Sequence, residues 1–317
     1  MRIALVHPTR AGAHTGNLTT ALRWEGVLAS LGHHVRRLPE WDDEEADLLV
    51  ALHATKTAAS VLRFRERWPE RPVVVGLAGT DLYRHLPTDA AGQEAVARAD
   101  RLVVLQPLAA RELPAAQRPK LRVIHQSAEP VADPPPPRED RFEVAVLAHL
   151  RPVKDPLLAA AAARLLSPES RVEVRHAGAP LEPDLARAAE EETATHPRYR
   201  WLGPLPREEA GRLLASSRLL VVTSRTEGGA NVVSEALAAG VPVVSTEIAG
   251  SVGILGPDYP GYFPVGDAAA LAELLGRVET RDGLYRELRS RVEALRPLVD
   301  PAREHEAWRE LLDELRP

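Results

Sequence analysis

The sequence predicts an α/β protein of two parallel-sheet domains, and three observations carry that expectation. Short apolar strands alternate with helical patterning twice along the chain. The 317 residues suffice for two domains of about 150 residues each. Residues 134–137 are all proline and separate the two series as a stiff, extended linker.

In the first series, 3–6, 34–38, 47–52, 73–77, 101–105 and 122–125 read as strands, and 17–31, 57–67 and 93–99 carry helical spacing. Alternation of this kind implies a parallel sheet covered on both faces. The second series opens with a strand over 142–148. A helix over 155–166 follows, with Asp155 expected as its N-cap and Pro156 at its first position. Strands continue at 171–176, 199–201, 219–222, 241–245 and 261–264, and the tail is helical around 268–275, 283–295 and 301–315. The expected organisation is a domain over 1–132, a linker over 133–140 and a domain over 141–317.

Composition narrows the function. A formal net charge of −5 gives no basic footprint for nucleic acid. The absence of cysteine excludes disulfides, zinc ribbons and thiol nucleophiles. The first apolar run is four residues long before His7 and Pro8, which reads as a buried strand and not as a leader. No apolar stretch is long enough for a membrane span, so the expectation is a cytoplasmic enzyme without stable membrane association. None of the 20 glycines forms Gly-x-Gly, so the dinucleotide fingerprint is missing. No Asp-x-Asp occurs either, and neither a metal nor another cofactor is expected.

The most informative segment is 223–246. An apolar strand runs into a loop carrying Glu227, Gly228 and Gly229; a helix over 230–239 follows, Gly240 stands where a left-handed C-cap belongs, and Pro242 follows it. Free amides at a helix start attract anions, and paired glycines let a phosphate approach. Glu227 and Glu235, with seven residues between them, add carboxylates that suit hydroxyl groups. Phosphate-binding amides beside hydroxyl-binding carboxylates fit a nucleotide sugar.

This segment resembles the donor-site signature of glycosyltransferase family 4. The resemblance implies the GT-B fold, two Rossmann-like domains with parallel sheets facing each other across a cleft, and a UDP-sugar as substrate. It implies that Glu235 binds the ribose hydroxyls and Glu227 faces the donor sugar. Amides of Gly228, Gly229, Ala230, Asn231 and Val232 would hold sugar and diphosphate. Arg151 and Lys154, which precede a helix start, are similar to the family's diphosphate clamp, and Gly203 with Leu205 resembles its base-contacting loop. The acceptor would lie in the first domain, near Arg10, Thr15, Gly16, Asn17, His53, Lys56, Thr80 and Asp81. Where many members carry a histidine before Gly-Thr-Asp, this chain has Ala78. An alcohol acceptor normally needs a base, so the substitution points to an acceptor that arrives as an anion, with Asp81 as the alternative base for an alcohol.

Motifs along nearly the whole chain carry a closer resemblance. They include Ala51-Leu-His-Ala, Ala78-Gly-Thr-Asp-Leu-Tyr-Arg, His149-Leu-Arg-Pro-Val-Lys-Asp-Pro and Glu227-Gly-Gly-Ala-Asn-Val-Val-Ser-Glu. These are similar to the selenosugar synthases of selenoneine biosynthesis. The resemblance implies transfer of a hexose, such as N-acetylglucosamine, from its UDP derivative to selenophosphate.

Overall fold

The computed structural model of the chain describes residues 1–8 and 16–316. It falls into two compact units. The first holds Met1–Ser127, takes up Glu227–Asn231, and is completed by the chain from Pro301; the second holds Ala128–Thr226 and Val232–Asp300.

In the first unit, β1 (Arg2–Val6), β2 (His34–Leu38), β3 (Leu48–Leu52), β4 (Val73–Gly76), β5 (Arg101–Val104) and β6 (Leu121–Val123) form one sheet in the order β2-β1-β3-β4-β5-β6. All its pairings are parallel. The connections carry α1 (Gly16–Ser30), α2 (Ala54–Arg67) and α3 (Ala90–Arg98). Every residue of β3 is buried, as a parallel strand covered on both faces requires. One face packs Trp41, Phe64, Val73 and Val75; the other packs Ile3, Leu5, Trp24 and Val74. Gly76 lies in β4 because a Cβ there would overlap the Trp24 ring.

The second unit repeats the architecture. Its strands are β7 (Phe142–Leu147), β8 (Val172–Ala177), β9 (Tyr199–Trp201), β10 (Leu219–Val222), β11 (Val243–Thr246) and β12 (Tyr262–Phe263). They run parallel in the order β12-β11-β10-β7-β8-β9. Its helices are α4 (Leu158–Arg164), α5 (Pro183–Thr195), α6 (Arg207–Ser216), α7 (Asn231–Ala239), α8 (Ala249–Leu255), α9 (Ala268–Thr280) and α10 (Asp282–Leu295). Gly240 closes α7 at φ +68°, the left-handed position expected for it. Each unit is thus an open, doubly wound Rossmann-like sheet.

Two sequence expectations are corrected. Asp155 does not cap a helix: it adopts φ +44° and ends a 3₁₀ turn over Pro152–Lys154, and α4 begins only at Leu158. Its carboxylate lies 2.7 Å from the guanidinium of Arg225, so it serves a neighbouring loop.

The second correction concerns the tail, since α11 (Pro301–Asp313) belongs with the first unit and not with residues 141–300. Trp308 meets Trp24 edge to face at 4.9 Å, and Leu311 and Leu312 are buried in the same core. The buried Glu304 accepts the Ser127 amide at 2.8 Å and the Ser127 hydroxyl. The unit boundary accordingly falls at Ser127, ahead of the exposed proline run.

Candidate active site

Ligands of open parallel sheets bind beyond the carboxyl ends of the strands where the strand order reverses. In the second unit that point lies between β7 and β10. The loops leaving these strands are stitched together: the Arg225 amide donates to the Val153 carbonyl at 2.9 Å, and the Thr223 hydroxyl to the Lys154 carbonyl at 2.8 Å. Exposed Arg151 opens the 3₁₀ turn and half-buried Lys154 ends it. The structure therefore holds both expected cations on one short turn at the switch point. Arg225 is a third cation there that sequence reasoning missed. Its guanidinium stands close to Gly266, whose φ of +78° favours glycine. The available signal was its position three residues after a buried strand at the point of reversal.

The ends of β8 and β9 are tied together by hydrogen bonds. His176 is buried, with Nε2 2.8 Å from the Ala148 carbonyl and Nδ1 2.8 Å from the Tyr199 hydroxyl. A carbonyl only accepts, so Nε2 carries the proton and Nδ1 accepts from Tyr199. Burial pushes this imidazole down to about 4. Beyond it, Trp201 Nε1 donates to the Gly178 carbonyl at 3.0 Å, and the Gly178 amide donates to the Gly203 carbonyl at 2.9 Å. A Cβ on Gly178 would overlap the Ala148 carbonyl, which explains glycine there. Gly203 adopts φ +72° and, like Leu205, is half-buried. Glu235 sits half-buried on α7, with Val232 one turn before it.

In the first unit, the loops after β3 and β4 converge. His53 caps α2 at φ +81° and is fully buried, while Lys56, in the first turn of α2, is exposed. Asp81 is also fully buried. Its oxygens accept the Ala54 amide at 2.6 Å and the Thr55 amide at 3.1 Å, and lie 3.2 Å from His53 Nδ1. Asp81 therefore holds the start of α2 and lies beside His53, whose Nδ1 accepts the Lys56 amide at 3.4 Å as the helix cap. His53 Nε2 is buried without a hydrogen-bond partner, an arrangement that costs free energy unless something completes it. Thr80, half-buried, precedes a π turn over Asp81–His85, a distortion frequent at functional sites.

The segment Glu227–Asn231 packs into this same unit. Gly228 lies against Gly79, Gly229 against Leu105, Ala230 is buried, and Asn231 Oδ1 accepts from Arg23 Nη1 at 3.0 Å. Gly16 opens α1 near the Asn231 amide, with Asn17 half-buried beside it. Arg10 and Thr15 lie outside the described residues. Among the described residues no group of three His, Asp or Glu could hold a metal, and no helix is long and apolar enough to cross a membrane.

Comparison with known proteins agrees with this architecture. The family model described as "Glycosyl transferases group 1" matches residues 130–294. Curated protein sequences give no match. Among solved structures, HepE from Anabaena in complex with UDP and glucose has a TM-score of 0.78 at 16% identity, covering 99% of this chain and 100% of that one. Sucrose-phosphate synthase from Thermosynechococcus elongatus gives 0.73 at 17% identity over 99% of both chains. The E. coli trehalose-6-phosphate protein bound with UDP-2-fluoro glucose gives 0.76 at 13% identity, again over 99% of both. At these identities the likeness establishes the fold, two Rossmann-like units of the GT-B type.

Proposed function

Because the chain belongs to the group 1 glycosyl transferases, we propose that it transfers a hexose from a UDP-sugar, with N-acetylglucosamine as the favoured hexose, to selenophosphate in selenoneine biosynthesis. The C–O bond to UDP breaks as selenium bonds to the anomeric carbon. Water then cleaves the P–Se bond, and UDP and phosphate leave. Similar folds solved with UDP or a UDP-sugar analogue support the donor class.

In this reading Arg151, Lys154 and the amides of Gly228 and Gly229 stabilise charge on the departing diphosphate, so no metal is required. Glu235 holds ribose, Glu227 positions the sugar, and Gly203 with Leu205 borders the base. His53, Lys56, Thr80, Asp81, Gly16 and Asn17 serve the acceptor, as do Arg10 and Thr15 on sequence grounds. The protein acts without a stable membrane or nucleic-acid partner, in the cytoplasm.

The observation that carries the acceptor is Ala78. A buried methyl group stands at the end of β4, and the Asp81 carboxylate beside it is engaged with the start of α2. The methyl group cannot take a proton from an alcohol and the carboxylate is already occupied in holding a helix start, whereas the selenium of selenophosphate needs no deprotonation. One observation favours a second reading, a family 4 transferase acting on a hydroxyl: with its proton on Nδ1 toward Asp81, in place of the tautomer that accepts the Lys56 amide, His53 presents a buried, unpartnered Nε2 that could act as a base.

A phosphorus NMR assay with UDP-N-acetylglucosamine, with and without selenophosphate, tests the proposal. UDP and phosphate should appear together only with selenophosphate, and mass spectrometry should show selenium's isotope pattern on the sugar. Faster turnover with a plain alcohol would give the second reading.

A further inference from the structure

The first unit contains a polar chain that the proposed reaction has not used. Glu304 on α11, 1% exposed, is held by Ser127 and lies 4.0 Å from Nε of Arg23 on α1. Arg23, 10% exposed, donates through Nη1 to Asn231 Oδ1 at 3.0 Å. Asn231 directly follows the Gly228–Gly229 loop and opens α7. A carboxamide can present either its oxygen or its nitrogen, and the choice decides whether it repels or binds an anion. Guanidinium has donors only, so Arg23 fixes Oδ1 toward itself and leaves the Nδ2 hydrogens as donors beside the backbone amides at this helix start. That Nδ2 lies toward Gly16, 3.8 Å from where a Cβ would stand.

We propose that Arg23 is a positioning residue for the donor: it sets the amide of Asn231 so that Nδ2 donates to an anionic oxygen of the nucleotide diphosphate. The inference rests on the nucleotide-sugar reading. It assigns a function to a half-buried cation that is remote in sequence from the glycine loop, and it gives Glu304 and Ser127 the task of holding that cation.

A double-mutant cycle on the full chain tests it, with UDP affinity measured by calorimetry. Arg23→Met and Asn231→Ala should each weaken UDP about tenfold, the size of one lost charged hydrogen bond. The double variant should be no weaker than Asn231→Ala alone, because Arg23 acts through Asn231. Arg23→Lys, which keeps a donor, should recover part of the loss. Asn231→Asp keeps a partner for Arg23 but replaces the donor by a negative charge, and should bind UDP at least as poorly as Asn231→Ala. Additive losses in the cycle, or wild-type affinity in Asn231→Asp, would overturn the inference. If the wild type itself bound no UDP, the donor reading would fail instead. The side-chain amide NMR signals of Asn231 then decide the positioning separately: they should shift in Arg23→Met, and identical signals would refute it.

Discussion

Gly79 and Gly228 meet backbone to backbone: a Cβ on Gly228 would stand 2.5 Å from the Gly79 nitrogen, and a Cβ on Gly79 would overlap the Gly228 amide in turn. Neither residue has a positive φ, so each is glycine for want of space and not for backbone freedom. Main chain cannot rotate aside as a side chain does. Gly79→Ala should therefore displace the Gly228–Gly229 loop and cost about 1–3 kcal/mol of stability or transition-state binding. Melting curves and donor turnover measure the two, and a variant unchanged in both would show that the loop is not seated this way.

Arg151 and Lys154 sit on one turn at the β7–β10 switch point. Replacing either by Ala should lower turnover by about a hundredfold, as for other lost transition-state donors. EDTA should leave the wild-type rate intact. A strict requirement for magnesium or manganese would remove these cations from the leaving-group role.

Glu235 and Glu227 should separate binding from chemistry. Charged hydrogen bonds contribute about 1.5–3 kcal/mol each, so Glu235→Ala should weaken UDP itself by tenfold or more. Glu227→Ala should spare UDP and slow sugar transfer. Calorimetry showing wild-type UDP affinity in Glu235→Ala would sink the assignment.

His53 decides between the acceptor classes. His53→Gln keeps hydrogen-bonding capacity but cannot accept a proton. With an anionic acceptor it should cost much less than Arg151→Ala, while Lys56→Ala should raise the acceptor KM and leave UDP binding alone. Loss of all transfer in His53→Gln, with an alcohol as the better acceptor, would establish the hydroxyl reading.

His176 gives the fold a pH dependence unrelated to the reaction. Its ordinary value of 6.5 is lowered to about 4 in the folded chain, so the unfolded chain binds the proton more readily. The stability linked to it is complete above pH 6.5 and falls as the pH drops toward 4, by about 3 kcal/mol over that interval. Urea unfolding at pH 7 and pH 4.5 should show the decline, and His176→Gln should flatten it. An equal decline in that variant would assign the loss to other groups.

Local rules made much of this chain legible. Apolar runs such as Leu219 to Val222 became buried strands, and Gly240 took its left-handed cap. Asp155 was misread because a residue before proline looks like a helix cap, whereas Arg225, seventy positions away, decides what its carboxylate does. Arg225 escaped notice for the same reason. Spacing identified the helix over 301–315, but helical spacing does not say which core receives the helix. The site divides likewise. The glycine loop and its flanking glutamates stood out by type and spacing, while the holding of Asp81 at the start of α2 depends on two loops meeting.

The return of α11 to the core around Trp24 sets an order on synthesis. The first unit's sheet leaves the ribosome early, yet Trp308 follows Ser127 by the whole length of the second unit. At about 5–20 residues per second, roughly ten to thirty seconds pass before the partner of Trp24 exists. During that interval the nascent first unit carries an uncovered aromatic face, a surface that chaperones bind. A fragment ending at Ser127 would keep that face uncovered permanently, so the two units cannot be separated by a single cut in the gene.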